Sequence, residues 1–278
     1  MSRPDIAKLL QEQVTFPDDV WEWIDLYHDA IAIIGTEGMT HESDTAETPY
    51  QQLMVSLVHR DLSSMNSIYL LLRAELLHQA AAQVRLLCEG IITWRYVALD
   101  AEARTNQFRE FSPIEACRFA EALLEWKDES TNPIHVEKLE RGIEELKGER
   151  QEVFERFKFT DRNGKVRQFR NWANMDIRGQ ADGCGADTLR LYDVVYRQMS
   201  AYVHGSAWSL RRQRAYSRMY HDPSVVHTDI ATIVRTAIVI WEQWCRTCEE
   251  ELGWDITAAV PAIAERMKAL DAAHFPAT

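Results

Sequence analysis

The sequence predicts an all-α protein, an antiparallel helical bundle with an N-terminal helical extension, and three observations support this fold class. Long segments place apolar residues on one face at the helical period. No segment alternates apolar and polar residues beyond a few positions, as a half-buried strand would. Proline and glycine fall mainly where helices begin and end. With 46% hydrophobic residues and nine tryptophans, the chain can also bury a large core.

We divide the chain into an N-terminal helix with an acidic loop, residues 1–49, and a helical bundle, residues 50–278, which together form a single domain. Pro17 begins a helical pattern that ends at Gly35, and the acidic, polar segment after it predicts a loop. Between Tyr50 and Arg104 the chain has no proline and one glycine. That run is too long for one ordinary globular helix, so we expect two helices joined near residues 73–77.

The middle of the chain carries two further helix starts and one irregular segment. Ser112-Pro113-Ile114-Glu115 has the pattern of a capping box and predicts a helix start. Asn132-Pro133 predicts another, and the Glu- and Lys-rich residues 135–159 after it are typical of an exposed outer helix. Residues 161–187 contain Asn163-Gly164 and three more glycines, which predict a long irregular segment.

Three helices are predicted in the C-terminal part of the chain. Asp187 or Thr188 caps the first, which carries residues 192–204 and stops at Gly205. Asp222-Pro223 breaks the chain. Two apolar patterns then predict helices over residues 228–252 and 257–273.

Composition and cysteine usage limit the classes of protein. Mean hydropathy is negative, no uninterrupted apolar run approaches the 18 or so residues of a membrane span, and the N-terminus lacks the apolar stretch of a secretory signal. We therefore expect a cytoplasmic protein without a membrane partner. Cys245 and Cys248 form one C-x-x-C inside an apolar helical pattern, without a second pair. This pattern favours buried free thiols over a zinc site, and we expect neither a metal nor a cofactor.

The charge is distributed unevenly. The net charge of the whole chain is −12, which argues against nucleic-acid binding. Residues 161–218 nevertheless hold eleven Lys and Arg against five Asp, a local charge of +6, so the rest of the chain carries −18. This asymmetry predicts either an anion-binding surface or basic loops that lie on acidic helices of the same chain, and the sequence leaves both open.

Arg197 and His204 are the strongest candidates for catalytic residues. They are seven residues apart, two helical turns, so both side chains leave one face within roughly 20° and about 10 Å along the axis. The spacing alone identifies nothing, because Arg73/His78 and Arg214/His221 have similar separations. Only Arg197 and His204 combine a shared helix face with small neighbours that leave room for a ligand, which are Ser200, Ala201, Gly205 and Ser206.

An arginine beside a histidine is sufficient for phosphodiester cleavage without a metal. Histidine can take the proton of a ribose 2′-hydroxyl or protonate the leaving 5′-oxygen. Arginine can hold the phosphate and offset the charge of the transition state. One histidine cannot comfortably be both base and acid, which favours two such motifs facing each other in a homodimer. The structural alternative makes His204 a core residue and Arg197 an ion-pair partner.

Two further groups of residues are candidates for binding or supporting roles. Arg85 and Glu89 share a face of an apolar helix, where charges must be paired, so Glu89 could orient His204 or neutralise Arg197. Arg211, Arg212 and Arg214 follow the motif among aromatic residues, a composition that suits single-stranded nucleic acid. The same composition suits arginines that extend over apolar neighbours. With Ser200 and Ser206, these residues are the predicted substrate-binding or supporting set.

Several segments resemble an uncharacterised family of bacterial all-helical proteins. Its members have a tryptophan-containing loop followed by a Tyr-x-x-x-Ser-x-x-x-His-Gly-Ser helix, and this chain has Asn171-Trp172, Ile177-Arg178 and residues 196–206. Residues 85–89 are similar to the family's Arg-x-x-x-Glu helix, so the likeness spans roughly residues 50–209. More distantly, Arg197-x6-His204 is similar to the signature of the HEPN superfamily (higher eukaryotes and prokaryotes nucleotide-binding).

The HEPN resemblance implies a helical bundle, often dimeric, with Arg197 and His204 as catalytic residues of a metal-independent endoribonuclease. It also implies a role in bacterial phage defence or a toxin–antitoxin pair, with RNA as substrate and a cognate antitoxin or defence protein as partner. Gln198 departs from the pattern, since active members usually carry Asn, Asp or His at that position. The alternative is therefore a non-catalytic helical protein that binds a nucleotide, RNA or protein partner through the Arg197/His204 cleft.

Overall fold

The structure is a computed structural model that describes residues 16–37, 48–127, 132–204, 207, 210–212 and 222–275. The predicted all-α fold class is confirmed, since the described residues are almost entirely helical. The predicted site residues Ser206 and Arg214 lie outside the described residues. The helices are α1 (Trp21–Glu37), α2 (Pro49–Arg73), α3 (Leu77–Ala98), α4 (Ala101–Glu125), α5 (Pro133–Glu149), α6 (Gln151–Arg156), α7 (Ile177–Gly183), α8 (Ala186–Leu191), α9 (Arg197–Val203), α10 (Pro223–Leu252) and α11 (Val260–His274).

Helices α2 and α3 form an antiparallel pair at the centre of the bundle. Thr48 caps α2 in a reciprocal capping box with Gln51. The chain reverses at residues 74–76, where Glu75 takes a left-handed conformation with φ 60°. This junction confirms the two helices predicted around residues 73–77. One side of α3 packs on α2 and other sides pack on α9 and α10, so α3 is buried along most of its length.

The close approach of α2 to α3 depends on Gly90. A Cβ atom at this position would lie 2.2 Å from Arg60 Nη2 and 2.6 Å from Asp61 Oδ1. Asp61 is fully buried and accepts two hydrogen bonds from Arg60, at 2.8 and 3.0 Å. Burial raises the pKa of Asp61 to about 6, and Arg60 and Trp244 act in the opposite direction. Because Gly90 has no side chain, there is room beside it for the buried carboxylate of Asp61 and for the half-exposed guanidinium of Arg60 that pairs with it.

The N-terminal helix α1 belongs to the same hydrophobic core as the bundle. A short 3₁₀ turn at Asp18–Val20 leads into it, close to the predicted start. Trp23, Ile24 and Tyr27 are completely buried, and the Tyr27 hydroxyl donates a hydrogen bond to the backbone carbonyl of Met65, at 3.3 Å. Helix α1 packs against α2, α10 and α11.

The predicted helix start at Ser112-Pro113 is wrong, because α4 runs without interruption through Pro113. Phe111, Ile114 and Cys117 are all buried, so the apolar face continues across the proline. Burial of that face outweighs the backbone hydrogen bond that proline removes. Asn132 does cap α5 as predicted, and α5 has no buried residue, as expected of an exposed outer helix. The predicted range of 135–159 is too long, because α5 ends at Glu149 and residues 158–160 form a strand.

Residues 161–187 are more regular than predicted. Strands β1 (Lys158–Thr160) and β2 (Val166–Gln168) pair antiparallel, and the Asn163-Gly164 signal is the turn between them. Asp161 stabilises this turn by accepting hydrogen bonds from the backbone of Asn163 and Lys165. Helix α7 then begins at Ile177, so the prediction of one long irregular segment is wrong.

Helix α10 crosses the centre of the bundle. It begins at Pro223 with Asp222 as its cap, five residues before the predicted range of 228–252, and Gly253, with φ 70°, ends it. In length and composition α10 is the one described helix that could span a membrane, although 61% of its most apolar window is buried inside the fold. A core helix of a soluble protein passes the same test, so this is weak evidence for a span. Cys245 and Cys248 are buried thiols on α10 and form no disulfide, which confirms the prediction for these two residues.

Candidate functional site

The predicted catalytic helix begins with one turn of π-helix at Tyr192–Tyr196, in which the backbone N–H of Arg197 donates to the carbonyl of Tyr192. Single π turns inserted in helices occur frequently at functional sites. The preceding helix α8 begins at Ala186 with Gly185 as its cap, so the caps predicted at Asp187 or Thr188 are wrong by two to three residues. Thr188 is instead buried, with its hydroxyl 3.4 Å from the guanidinium of Arg95.

Arg197 and His204 both lie on the solvent side of α9. Met199 and Tyr202 occupy the opposite, buried side of the helix. Arg197 is 69% exposed, and its side-chain partner among the described residues is Asp193, at 3.7 Å. His204 is exposed at the C-terminal end, where its backbone N–H donates to the carbonyl of Ser200, at 3.0 Å. We call Arg197, Ser200 and His204 the α9 face.

Ser200 lies between the two candidate catalytic residues, one turn from each. Its side chain is half-buried, and its Oγ atom is shielded from solvent without a hydrogen-bond partner among the described residues. A buried hydroxyl without a partner costs free energy, so Ser200 offers a donor and an acceptor to a ligand that reaches it.

Arg85 reaches the π turn from α3. Its guanidinium donates a hydrogen bond to the Tyr196 hydroxyl, at 2.8 Å, and lies 4.9 Å from the centre of the Tyr196 ring. Tyr196 in turn stacks on Tyr192, with ring centroids 4.9 Å apart and ring planes 19° apart. We call these two residues the tyrosine stack. It is half-buried and lies beside the arginine of the α9 face.

Charged side chains of both signs border the tyrosine stack. Burial raises the pKa of the Tyr192 hydroxyl, Tyr196 and Asp176 act in the same direction, and Arg197 and Arg178 act in the opposite direction. Both guanidinium groups therefore lie close enough to favour the ionised phenol. Flat aromatic rings bordered by arginines are the chemistry that stacks bases and holds phosphates.

Within the described part of the chain, Glu89 forms no hydrogen bond or ion pair with Arg85 or His204. It is half-buried on α3 and raises the pKa of the neighbouring buried thiol, Cys88, for which burial is the larger cause. Because Arg85 contacts Tyr196 instead, the two charged residues of the Arg-x-x-x-Glu pattern serve different neighbours.

The predicted basic cluster is divided between two environments. Arg211 is exposed, whereas Arg212 is mostly buried in an ion pair with Asp229 of α10. Asp229 is only 2% exposed, and it also accepts a hydrogen bond from the Tyr202 hydroxyl, at 3.0 Å. The His78 ring packs edge-on against Tyr202. This buried group fixes α9 to α10.

Trp172, the tryptophan of the resemblance, is structural. It is buried, and it packs against Tyr96 of α3 and Phe108 of α4 at ring-centroid distances of 5.7 and 5.3 Å. The Asn171 side chain donates to the carbonyl of Met175 and accepts from its N–H, which closes the loop. The loop therefore fixes the start of α7 and positions Arg178 in its first turn.

The fold and these residues define an all-helical protein that presents an arginine, a histidine and a stacked pair of tyrosines on one helix. The chain belongs to DUF5677, a family of unknown function, whose profile matches residues 51–215, more than half of its length. This confirms the prediction of an uncharacterised helical family, and the matched range includes Arg85, the tyrosine stack and the α9 face. No curated protein and no solved structure gives a significant match.

Proposed function

We propose that this protein is a metal-independent endoribonuclease in which Arg197 and His204 act on one phosphodiester. One observation carries the proposal: both side chains are exposed on the same face of α9, and neither is committed to a buried structural contact. A structural role predicts the opposite, a histidine buried against an acidic partner.

The chemistry follows from the two side chains. The imidazole of His204 takes the proton of the ribose 2′-hydroxyl, and the 2′-oxygen attacks phosphorus. The bond from phosphorus to the 5′-oxygen breaks, and this oxygen receives a proton from a second acid. The guanidinium of Arg197 holds the phosphate oxygens and offsets their growing negative charge. The products are a 2′,3′-cyclic phosphate and a 5′-hydroxyl.

A homodimer supplies the second acid. One imidazole starts as a base, so a histidine from a second copy, facing the first, can protonate the leaving oxygen. The exposed α9 face and the exposed neighbours Val194 and Val203, at 56% and 40% exposure, leave this side of the helix open to a second copy.

The tyrosine stack indicates the class of substrate. A base next to the scissile phosphate can stack on Tyr192 and Tyr196, while Arg178 and Arg197 contact phosphates. Bases are free to stack in this way only in single-stranded RNA. We therefore expect cleavage of single strands and little cleavage of duplexes.

Two observations favour a second function, binding of a nucleotide or single-stranded RNA without cleavage. Gln198 stands where active HEPN members usually carry Asn, Asp or His. The Arg85–Tyr196–Tyr192 arrangement also serves binding on its own, since stacking and phosphate contact need no general base.

The similarity to the HEPN superfamily supports a biological setting for either function. We propose a role in bacterial phage defence or in a toxin–antitoxin pair, in the cytoplasm, with a cognate antitoxin or defence protein as partner. Such a partner would control the enzyme by covering the α9 face.

The cleavage assay uses 5′-labelled single-stranded RNA with purified protein in EDTA. Wild-type protein is expected to leave 2′,3′-cyclic phosphate ends, and His204→Ala is expected to lose on the order of 10²- to 10⁴-fold in rate, the usual contribution of a general acid–base group. His59→Ala is the matched control, because His59 is also exposed on a helix but lies on α2.

The same proteins distinguish cleavage from binding. Fluorescence anisotropy with a 2′-O-methyl RNA, which cannot be cleaved, measures affinity alone. Binding that is weakened by Arg197→Ala, without cleavage by wild-type protein, would establish the second function. Cleavage that persists at the wild-type rate in His204→Ala would refute the proposed nuclease mechanism.

A further inference from the structure

A second group of polar residues lies where the first turn of the fold meets its last helix. Asp19 is in the 3₁₀ turn before α1, His227 is near the start of α10, and His274 ends α11. One ligand atom from each lies within 4.8 Å of the others. His227 Nε2 and Asp19 Oδ2 are 3.7 Å apart.

The two imidazoles present nitrogen atoms without hydrogen-bond partners. The Nε2 atoms of His227 and His274 are shielded from solvent and are not hydrogen-bonded among the described residues, although the side chains are 13% and 17% exposed. Buried polar atoms without partners are uncommon in native structures and indicate an ion, a water or a functional role. Glu22 adds a fourth donor, with Oε2 3.8 Å from His274 Nε2.

The electrostatics suit a dication. Arg235 lies over the Phe275 ring, on which His227 also stacks, and its ion pair with Asp271 offsets its charge. Asp19 and Glu22 then leave the group with two negative charges.

We propose that Asp19, His227 and His274 bind one divalent transition-metal ion, with Zn²⁺ as the best fit and Glu22 as an available fourth ligand. Zinc takes histidine nitrogen and carboxylate oxygen at roughly 2.0–2.2 Å in a tetrahedral site, which places neighbouring donor atoms about 3.4 Å apart. The separations of 3.7 Å between Asp19 and His227 and of 3.8 Å between Glu22 and His274 need a few tenths of an ångström of closure. The other pairs among the three ligands lie within 4.8 Å and would close by up to about 1.4 Å.

This ion would be structural and separate from the α9 face. It would join the turn before α1 to α10 and to the end of α11, three elements from opposite ends of the sequence. His227 and Asp229 are two residues apart on α10, so their side chains leave the helix in nearly opposite directions. The metal site therefore lies on the other side of α10 from the Tyr202–Asp229 contact.

The proposal is tested on full-length protein that has been treated with EDTA and then freed of it. Isothermal titration calorimetry with ZnCl₂ measures binding, and thermal unfolding measures Tm. We expect one ion per chain, a rise in Tm of about 5 °C at a hundredfold excess over Kd, and no such rise with MgCl₂. Asp19→Asn and His274→Ala should each weaken binding on the order of a hundredfold. His135→Ala, a histidine exposed on α5, should change nothing.

Substitution of Co²⁺ for Zn²⁺ shows by absorption spectroscopy which type of ligand binds the ion. Co²⁺ bound by nitrogen and oxygen gives visible bands without the near-ultraviolet thiolate band that cysteine coordination produces. The proposal fails if no ion binds, if the thiolate band appears, or if Asp19→Asn and His274→Ala bind Zn²⁺ as tightly as wild-type protein. Asp19 is exposed, so its variant tests the site even where His227→Ala does not fold. None of these readouts involves RNA.

Discussion

Substitution of Gly90 by alanine tests how α2 and α3 pack. The added Cβ would lie 2.2 Å from Arg60 Nη2 and 2.6 Å from Asp61 Oδ1, so one of these groups must move by about an ångström, since ordinary contacts begin near 3.4 Å. Asp61 is confined, with 1% of its side chain exposed, whereas Arg60 is 49% exposed and can swing away. Moving Arg60 leaves a buried carboxylate without its cation.

The expected cost follows from three contributions. Overpacking costs about 1–3 kcal/mol, and loss of Arg60 as the partner of Asp61 costs about 1–2 kcal/mol, less than in a fully buried pair because Arg60 is half-exposed. The better helix propensity of alanine returns about 1 kcal/mol. We therefore expect Gly90→Ala to lower the unfolding free energy by about 1–4 kcal/mol and Tm by roughly 2–8 °C.

Denaturant and thermal unfolding followed by circular dichroism measure this change, and Gly142→Ala is the matched control. Gly142 lies inside α5, and a Cβ there would meet no atom within 4 Å, so alanine should raise the unfolding free energy by up to about 1 kcal/mol. The two substitutions should therefore change the unfolding free energy in opposite directions. A Gly90→Ala protein at least as stable as wild type would refute the proposed packing of Arg60 and Asp61 against Gly90.

Three further predictions concern Asp61, Tyr202 and the tyrosine stack. In the folded protein the pKa of Asp61 is raised to about 6, so the folded state binds the proton of this carboxyl more tightly than the unfolded state does. The protonated carboxyl therefore contributes its full stabilisation below the unfolded pKa near 3.8, and this contribution is lost as pH rises through 6. Asp61→Asn should therefore gain roughly 2–2.5 kcal/mol relative to wild type between pH 4 and pH 7 in urea unfolding, and an equal pH dependence in the two proteins would contradict this. Tyr202→Phe removes the hydrogen bond to buried Asp229 and should cost about 1.5–3 kcal/mol. Tyr69→Phe is the control and should cost under about 0.5 kcal/mol. Tyr196→Leu should weaken anisotropy-measured binding of 2′-O-methyl RNA by about 1–3 kcal/mol, and unchanged affinity would exclude stacking there.

Much of the helical architecture follows from local signals in the sequence. Asn132-Pro133 begins a helix as predicted, because a capping side chain and a proline act within a single turn. Asp222-Pro223 was predicted only to break the chain, yet it begins α10 through the same two signals. The junction after Arg73 follows in the same way from the length of the helical run. Pro113 shows the limit of local reasoning, since buried Phe111 and Ile114 carry α4 through a residue that usually begins or kinks a helix.

The candidate site was predicted in part. The shared face of Arg197 and His204 follows from spacing, and their exposure was left open because it depends on which side of α9 meets the core. The four-residue spacing of Tyr192 and Tyr196 could have indicated the tyrosine stack. The contact of Arg85 with Tyr196 crosses 111 residues, and that of Arg212 with Asp229 joins separate helices, so neither has a local signal. Asp229 itself, the one carboxylate in the apolar first part of α10, residues 223–241, was a missed indication of a buried partner.

A double-mutant cycle on RNA cleavage tests most directly the claim that Arg197 and His204 act together on one phosphate. The initial rate on single-stranded RNA in EDTA is measured for wild type, Arg197→Ala, His204→Ala and the double variant. Each single change should reduce the rate by at least about 10²-fold, and the double variant should be no slower than the slower single variant, since residues that act as a unit are not additive. A wild-type rate in either single variant, or a double variant slowed by the product of the two effects, would contradict the account.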